Sequence, residues 1–265
     1  MKTKTKSIAK NWLFYLILFI VFFGCSNKSK NEENSAILTK IEGSQLTYIL
    51  PSPKTNGNIS VEKALANRRS QRLFQNKAIS AEQLSQILWA AYGITKPVTE
   101  HQFLRGGFRT APSAGALYPL EIYAIIGKVE GIEPGAYKYI SEDHKIVRVV
   151  DKDVRDELSE AAMGQRIVRE APVTIFYSAI FSRTTEKYGE RGYRYVFIDL
   201  GHSAQNIYLQ AEALQLGACA IGSLKDNRVS QILKLPVEEE PLSLMVIGYY
   251  NPVGKINKFS NVYAF

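Results

Sequence analysis

RTAPSAGALYPLEIY, residues Arg109–Tyr123, joins a loop of small residues directly to an apolar strand pattern. The small residues from Ser113 to Ala116 lie between Pro112 and Pro119. Small side chains let a backbone approach a ligand closely, and proline fixes the local direction of the chain. A loop of this kind suits one face of a flat, rigid ligand. The composition alone is equally typical of an ordinary loop that enters a sheet.

Helical and strand patterns alternate irregularly along the chain, which predicts an α+β fold. Ser60 is placed as a helix N-cap, and Ser80 with Gln83 forms a capping box that starts a second helix, which Gly93 ends. The strand patterns are EIYAIIG, AYKYI, KIVRVV, PVTIFYSAI and LSLMVIGYY. PVTIFYSAI is apolar throughout, so we expect this strand to be buried on both faces.

The longest helical pattern covers Gly192–Gly217, where apolar residues recur every three or four positions. Gly201 lies inside this pattern, and a glycine there predicts that another backbone packs closely against the helix. His202 is expected to be a core or interface residue rather than a catalytic one.

The first 24 residues resemble an export signal. Four lysines precede the apolar run Trp12–Phe23, which is shorter than the about 20 residues needed to cross a bilayer. Gly24 and Cys25 follow in an order that resembles a lipobox, although Phe22 and Phe23 depart from it. We therefore expect Cys25 to be acylated and the protein to be anchored in the bacterial cell envelope. An uncleaved anchor or ordinary cleavage is the alternative.

The remaining chain divides into a polar tether, residues 25–58, and a globular domain, residues 59–265. A short pairing segment at Leu46–Leu50 is the exception expected within the tether. The net charge is +8, but outside the first 24 residues there are only 29 basic and 25 acidic side chains. This balance is too mild to indicate a nucleic-acid partner, and no basic run with interleaved aromatic residues occurs.

The two cysteines, Cys25 and Cys219, exclude a thiolate metal cluster, and an acylated Cys25 also excludes an intramolecular disulfide. We predict no metal site, and a buried, small apolar role for Cys219. No dinucleotide-binding glycine motif, P-loop or zinc-protease motif is present, so a dedicated NAD fold is unsupported.

Arg68, Arg69, Ser70 and Arg72 place three guanidinium groups and a hydroxyl within five residues, at the end of a predicted helix. Arginine matches phosphate oxygens with paired hydrogen bonds. The alternative is that arginines near a helix C-terminus only complement the helix dipole.

Three motifs resemble those of the nitroreductase superfamily. PSAGALYPLE resembles its flavin-binding loop, in particular that of the SagB/ThcOx-type dehydrogenase branch, and RRSxR followed by Phe74 resembles its opening motif, whose arginines hold the FMN phosphate. Gly217–Ser223 resembles the segment that sets a backbone N–H against flavin N5, with Gly222 at the matching position. Gln215 departs from the usual LGLG pattern, and we expect it on the helix surface.

The resemblance implies a nitroreductase-like mixed sheet flanked by helices, with the long helix at its centre. It also implies an intertwined homodimer with FMN in a cleft between the subunits. The residues that it assigns to FMN are Arg68, Arg69, Ser70, Arg72, Pro112, Ser113, Ala114, Gly115, Ala116, Leu117, Ile221, Gly222 and Lys255.

KYGERGYRY, which begins at Lys187, resembles the segment of azole-forming peptide dehydrogenases that carries an adjacent Lys–Tyr pair. There the pair handles the substrate proton while the flavin takes the hydride, so the resemblance implies catalytic roles for Lys187 and Tyr188. A lysine acts as a base only if its pKa falls towards neutrality. The nearby cations expected to lower it are Arg183, Arg191 and Arg194. The alternative is a solvated, charged surface.

The residues and the resemblance together predict an FMN-dependent oxidoreductase. An NAD(P)H-fed reductase of nitro or quinone compounds is the first alternative, although NAD(P)H is scarce where an exported protein works. A binding lipoprotein that kept the fold but lost the chemistry is the second alternative. The substrate is a small molecule or a peptide that the motifs do not identify.

Overall fold

The computed structural model describes residues 38–250, which form seven α-helices and ten β-strands. The strands are β1 Thr39–Ile41, β2 Thr47–Ile49, β3 Ile94–Pro97, β4 Gly107–Arg109, β5 Leu120–Ile126, β6 Gly135–Ile140, β7 Lys145–Val150, β8 Val173–Ala179, β9 Gly217–Ile221 and β10 Glu240–Gly248. The helices are α1 Val61–Asn67, α2 Ala81–Tyr92, α3 Arg155–Ala161, α4 Arg166–Glu170, α5 Ser182–Tyr188, α6 Arg191–Ala213 and α7 Asp226–Leu233.

Eight strands form one sheet in the order β1-β2-β7-β6-β5-β8-β10-β9, and each neighbouring pair in it is antiparallel. Strands β3 and β4 form a separate hairpin. Parallel contacts in the described chain are isolated bridges, such as Ser70 with Ala218. The predicted α+β fold, a large sheet flanked by helices with one long helix, is confirmed.

The central strands are buried on both faces because successive side chains point into different helix layers. On β8, Ile175 and Tyr177 belong to the core that contains residues of α2 and α6. Phe176, between them, belongs to the core that contains residues of α3, α4 and α7. All residues of β5 and β8 are buried, which confirms the prediction for PVTIFYSAI.

The predicted helix starts are present. The Ser60 hydroxyl accepts from the Lys63 amide at 3.2 Å. At Ser80 both hydrogen bonds of the capping box form with Gln83, at 3.2 and 2.9 Å. Gly93 ends α2, as predicted, but with an extended backbone (φ −68°, ψ 152°) rather than a left-handed one.

Helix α6 ends at Ala213, earlier than the predicted stop at Gly217, which instead begins β9. Gln215 lies just beyond the helix, is exposed and has the left-handed backbone (φ 59°), so its predicted place on the helix surface is wrong. Nothing in the described chain lies within 4 Å of a methyl group added to Gly201, so the expected close backbone contact is absent there. His202 is exposed and is not a core residue, because the buried stripe of α6 lies on another face.

The described chain before α1 contacts the sheet and α2. Leu46, Tyr48 and Leu50 are buried, and β2 pairs with β7, which confirms the expected pairing segment. The backbone of Lys54 exchanges two hydrogen bonds with the Gln86 amide, at 2.8 and 3.0 Å. Three alternating apolar residues are thus enough to add a strand to the sheet.

Several predictions concern the chain termini. Cys25 and Lys255 lie outside the described residues, so lipidation and the phosphate contact of Lys255 stay predictions. Within residues 38–250, no helix has both the length and the hydropathy needed to cross a membrane.

Replacing Tyr48 with Ala is expected to lower the free energy of unfolding by about 3 kcal/mol, because a fully buried ring leaves a cavity. Its ring packs edge-on against Tyr137 at 5.9 Å, and its hydroxyl accepts from the Glu133 amide at 3.3 Å. Urea unfolding measures the change. Ile49→Ala, on the exposed side of the same strand, is the control. Equal small losses in both variants would show that this segment is not part of the folded unit.

Candidate functional site

The predicted site residues form two groups, which contact helix α6 at two separate places. Asp199 contacts the small-residue loop, whereas Tyr208 contacts the arginine motif and β9. These two residues are nine positions apart, which is roughly 14 Å along a helix axis. The helix therefore sets the separation between the two groups.

The small-residue loop is anchored to α6 by hydrogen bonds. The Ser113 hydroxyl donates to Asp199 Oδ2 at 2.5 Å, and the Ala114 amide donates to Oδ1 at 3.3 Å. The Ser113 hydroxyl in turn accepts from the Tyr118 amide at 3.0 Å. These contacts connect both ends of the loop to one carboxylate.

The loop backbone is unusual between these anchors. Gly115, Ala116 and Tyr118 all have left-handed conformations, with φ of 62°, 54° and 48°. Such a conformation is uncommon for residues other than glycine and persists only where the surroundings hold it. The loop therefore has a defined conformation that the surrounding contacts hold in place.

Asp199 was not predicted as a site residue, although its position in the helical pattern is informative. It is 2% exposed and lies three residues after Val196, so it is a carboxylate within the apolar stripe of a long helix. Burial raises the pKa of Asp199, and the hydrogen bonds from Ser113 and Ala114 oppose that rise. An acid in such a stripe indicates a polar partner elsewhere in the fold.

The Lys–Tyr pair lies against this loop although 72 residues separate Gly115 from Lys187. A methyl group added to Gly115 would lie 2.7 Å from the Tyr188 hydroxyl and 3.1 Å from the Lys187 amine. Lys187 is exposed, and the half-buried Tyr188 packs edge-on against Tyr195 at 5.0 Å. The structure therefore brings together two motifs that the sequence placed far apart.

Arg183 has a different role from the one expected. Its guanidinium lies 2.6 Å from Glu121 Oε1 and donates to the Tyr118 carbonyl at 3.2 Å. It does not present an uncompensated charge to Lys187, because Glu121 pairs with it. Arg183 instead ties α5, which carries the Lys–Tyr pair, to the end of the loop.

Glu121 is the centre of a buried charge cluster that the sequence did not indicate. Arg105, Lys138 and Arg183 approach it at 3.1, 2.9 and 2.6 Å. Burial raises the pKa of Glu121, but the three cations more than offset this and hold the pKa below its usual range. Lys138 also pairs with Glu239 at 2.7 Å. The cluster lines a cavity of about 290 Å³.

Tyr208 organises the second group. Its ring lies 5.1 Å below the Arg68 guanidinium, and its hydroxyl is 3.3 Å from the Ser70 hydroxyl. The same hydroxyl accepts from the Ala220 amide at 2.9 Å. Tyr208 thus connects the arginine motif to the strand that leads into Gly222.

The members of the second group differ in their availability to a ligand. Gly222 is exposed, and a methyl group added to it meets nothing within 4 Å in the described chain. The Ile221 side chain is buried in the core. Arg69 donates to the carbonyls of Ala66 and Arg68 at the end of α1, which is the helix-complementing role considered as the alternative. No carboxylate in residues 38–250 pairs with the three arginines of this motif.

The other predicted site residues of the described chain differ in their exposure. Pro112 and Arg72 are exposed, and Leu117 is half-buried at the end of the loop. Cys219 is buried, as predicted, and burial raises the pKa of its thiol while Arg72 partly opposes this. Among the described residues, no three His, Cys, Asp or Glu side chains are grouped as metal ligands are.

The unpaired arginines, the open Gly222 backbone and the small-residue loop fit an anionic, flat ligand such as FMN. Guanidinium groups without a carboxylate partner are available to phosphate oxygens. The missing side chain of Gly222 leaves space for a ring to approach the backbone.

Comparisons with known proteins agree with this geometry. A family model described as Nitroreductase family matches residues 65–249. A candidate nitroreductase of Methanocaldococcus jannaschii is 45% identical over 190 residues, which cover 72% of this chain and 91% of that protein. The crystal structure of a candidate nitroreductase from Ralstonia eutropha JMP134 matches with a TM-score of 0.66 and 27% identity, over 81% of this chain and 95% of that one.

Two more distant relatives have names that describe different activities. The trifolitoxin-processing protein TfxB of Rhizobium leguminosarum bv. trifolii is 29% identical over 165 residues, which are 59% of this chain but only 44% of that protein. The FMN reductase [NAD(P)H] of Bacillus subtilis strain 168 is 25% identical over 203 residues, covering 71% of this chain and 65% of the relative.

Replacing Gly115 with Ala is expected to cost about 1 kcal/mol of stability, because its backbone is left-handed, and to displace the Tyr188 hydroxyl. Gly164→Ala is the matched control, since Gly164 also has a positive φ (76°) but open space around it. Urea unfolding measures the shared cost, and crystal structures of both variants locate Tyr188. An unmoved Tyr188 in the Gly115 variant would contradict the contact.

Replacing Glu121 with Gln is expected to cost about 3 kcal/mol at pH 7, because it leaves Arg105 and Arg183 without their buried carboxylate and Lys138 with Glu239 alone. Since the pKa of Glu121 is lowered in the folded protein, its contribution is present above the unfolded pKa of about 4.3 and is lost as the pH falls through the folded value. The difference from wild type should therefore shrink in acid.

Urea unfolding across this pH range tests the Glu121 prediction. Glu133→Gln is the control, because Glu133 pairs with Lys40 and Arg148 at an exposed position and should matter little. A loss for the Glu121 variant that does not depend on pH would refute the electrostatic explanation.

Proposed function

This chain belongs to the nitroreductase family of flavin oxidoreductases, and we propose that it is an FMN-dependent oxidoreductase of the SagB/ThcOx type. The observation that carries this proposal is the position of the Lys187 amine and the Tyr188 hydroxyl against Gly115 of the loop. The similarity to a trifolitoxin-processing protein supports the same branch.

In this proposal the arginine motif binds the FMN phosphate. Arg68 and Arg72 supply charge that no carboxylate in the described part of the chain compensates, and Ser70 supplies a hydroxyl. Tyr208 fixes the direction of Arg68 by lying beneath its guanidinium. The Gly222 backbone and the loop from Pro112 to Leu117 contact the ring, because they are the accessible small-residue segments.

When bound, FMN supplies a hydride acceptor or donor at N5. The chain itself handles the proton: the Tyr188 hydroxyl and the Lys187 amine both face the loop, and either group, once deprotonated, can take a proton from a substrate held there. Because Lys187 is exposed, it can pass that proton to water. Arg183 keeps α5, and with it the pair, in register with the loop.

A second copy of the chain completes the site in this proposal. Helix α6 exposes Tyr193, Phe197 and Ile198, which are 45, 54 and 46% exposed, and nothing in the described chain lies near Gly201. Burying such an apolar face favours association. A homodimer formed there would bring the loop of one copy towards the arginine motif of the other.

The proposed location is the cell envelope, with Cys25 lipidated and the domain outside the inner membrane. NAD(P)H is scarce there, so the enzyme would oxidise a small molecule or peptide and pass the electrons to oxygen or a quinone. No nucleic acid is involved.

An NAD(P)H-dependent reductase of nitro or quinone compounds is the second candidate. The similarity to the Bacillus subtilis FMN reductase [NAD(P)H] favours it. Rapid bleaching of the bound flavin by NADH would support this reductase over the dehydrogenase. A protein that takes up no FMN would instead support a non-catalytic binding lipoprotein.

The first test is the absorbance spectrum of purified residues 26–265 after incubation with FMN and desalting. We expect flavin absorbance to survive, and Arg68→Ala to weaken FMN binding by about tenfold through the loss of charge-assisted hydrogen bonds. Arg69→Ala is the matched control, because helix carbonyls already engage Arg69. Loss of flavin from the wild type would refute the cofactor assignment.

Replacing Lys187 with Ala, or Tyr188 with Phe, is expected to lower turnover by about 100-fold while FMN stays bound. The substrate for this assay is whichever compound from a screen reduces the bound flavin. Lys225→Ala, which removes an exposed lysine before α7, is the control. If Lys187→Ala and Tyr188→Phe both kept full turnover, the pair would be part of a solvated surface and would have no catalytic role.

A further inference from the structure

Asp199 is a buried acid whose hydrogen-bond partners both belong to the loop. It is 2% exposed, and no basic side chain in residues 38–250 forms an ion pair with it. A buried carboxylate without a cation is costly, so its presence in an apolar helix stripe calls for a compensating role. Ser113 and Ala114 supply its hydrogen bonds.

The hydrogen bonds around Asp199 suit an ionised carboxylate. The Ala114 amide can only donate, so Oδ1 accepts from it. The Ser113 hydroxyl donates to Oδ2 at 2.5 Å, while its oxygen accepts from the Tyr118 amide. Two donors on the two carboxylate oxygens favour the negative form and oppose burial, which raises the pKa of Asp199.

The same contacts hold the unusual loop backbone. Ala116 and Tyr118 are left-handed without being glycine, and each such residue persists only when its surroundings enforce it. Asp199 holds the start of this segment directly and its end through the Ser113 hydroxyl. One carboxylate thus controls both the shape of the loop and the charge behind it.

We propose that Asp199 is a positioning residue that holds the loop Pro112–Tyr118 and, through its charge, lowers the reduction potential of FMN bound against that loop. This inference rests on the proposed FMN site. A negative charge in a poorly solvated position disfavours adding electrons to a nearby ring. The flavin is then easier to reoxidise, which suits an enzyme that passes electrons to oxygen or a quinone.

Two variants separate the effect of the Asp199 charge from the effect of an ordered loop. Asp199→Asn removes the charge but keeps the size and an acceptor, whereas Ser113→Ala removes the hydrogen bond and keeps the charge. Glu239→Gln is the control, because Glu239 is a buried carboxylate whose partners are Tyr123, Lys138 and Ser178 rather than the loop. The FMN potential is measured by redox titration, and amide hydrogen exchange is followed at Ala114 and Tyr118.

We expect Asp199→Asn to raise the ratio of reduced to oxidised FMN at a fixed potential by about tenfold, which is about 30 mV for a two-electron couple. Glu239→Gln should leave the potential near that of the wild type, and Ser113→Ala, which keeps the carboxylate, should shift it less than Asp199→Asn does. Exchange at Ala114 and Tyr118 should become faster in the Asp199 and Ser113 variants and stay unchanged in the Glu239 variant. Asp199→Ser, also neutral, replaces the asparagine variant if that protein does not fold.

An unchanged potential in a flavin-loaded Asp199 variant would overturn the redox role while the proposed function stands. An equal shift in the Glu239 variant would overturn it too, because the effect would not be specific to the loop. If the wild type binds no FMN, the proposed function and the redox role both fail. Exchange at Ala114 and Tyr118 in the FMN-free protein then decides the anchoring role, and unchanged exchange overturns it.

Discussion

The packing of α6 against the sheet is the constraint on which the candidate site depends. Three polar residues on this helix each hold a different segment of the chain. Asp199 holds the loop, and Tyr208 holds the arginine motif and β9. Between them, Ser203 donates to the Ala91 carbonyl at 2.7 Å and lies 2.9 Å from the Tyr177 hydroxyl, which fixes α2 and β8 to the helix. Because an α-helix has a fixed rise, the distances between these segments are fixed as well.

Charge is distributed in two distinct ways around this helix. The cations near Glu121 are compensated by a buried carboxylate, and they connect α5, β6 and the hairpin loop to β5. Arg68 and Arg72 have no such compensation in the described chain, and Lys187 lies at the surface beside Tyr188. Paired buried charges hold elements in place, whereas unpaired cations remain available to a ligand, so the two groups have separate roles.

Much of the fold could be predicted because its signals are local. The capping box at Ser80, the apolar run of β8 and the periodic stripe of α6 each depend on residues close in sequence. The pairing segment that contains β2 was expected, but its partner β7 was not, because register with a distant strand is not encoded locally. The end of α6 was misplaced because Gln215, not the nearby Gly217, adopts the left-handed conformation. Residue preference at such positions is a tendency rather than a rule.

The sequence by itself determined the α+β class, the three motifs and the residue types suited to a phosphate and a flat ring. Only the tertiary structure decided that Lys187 and Tyr188 lie against Gly115, that Arg183 is engaged by Glu121, and that Asp199 anchors the loop. The physical reason is that these contacts join residues far apart in the chain. Side-chain periodicity encodes which face of an element is buried, but not which distant segment packs against it.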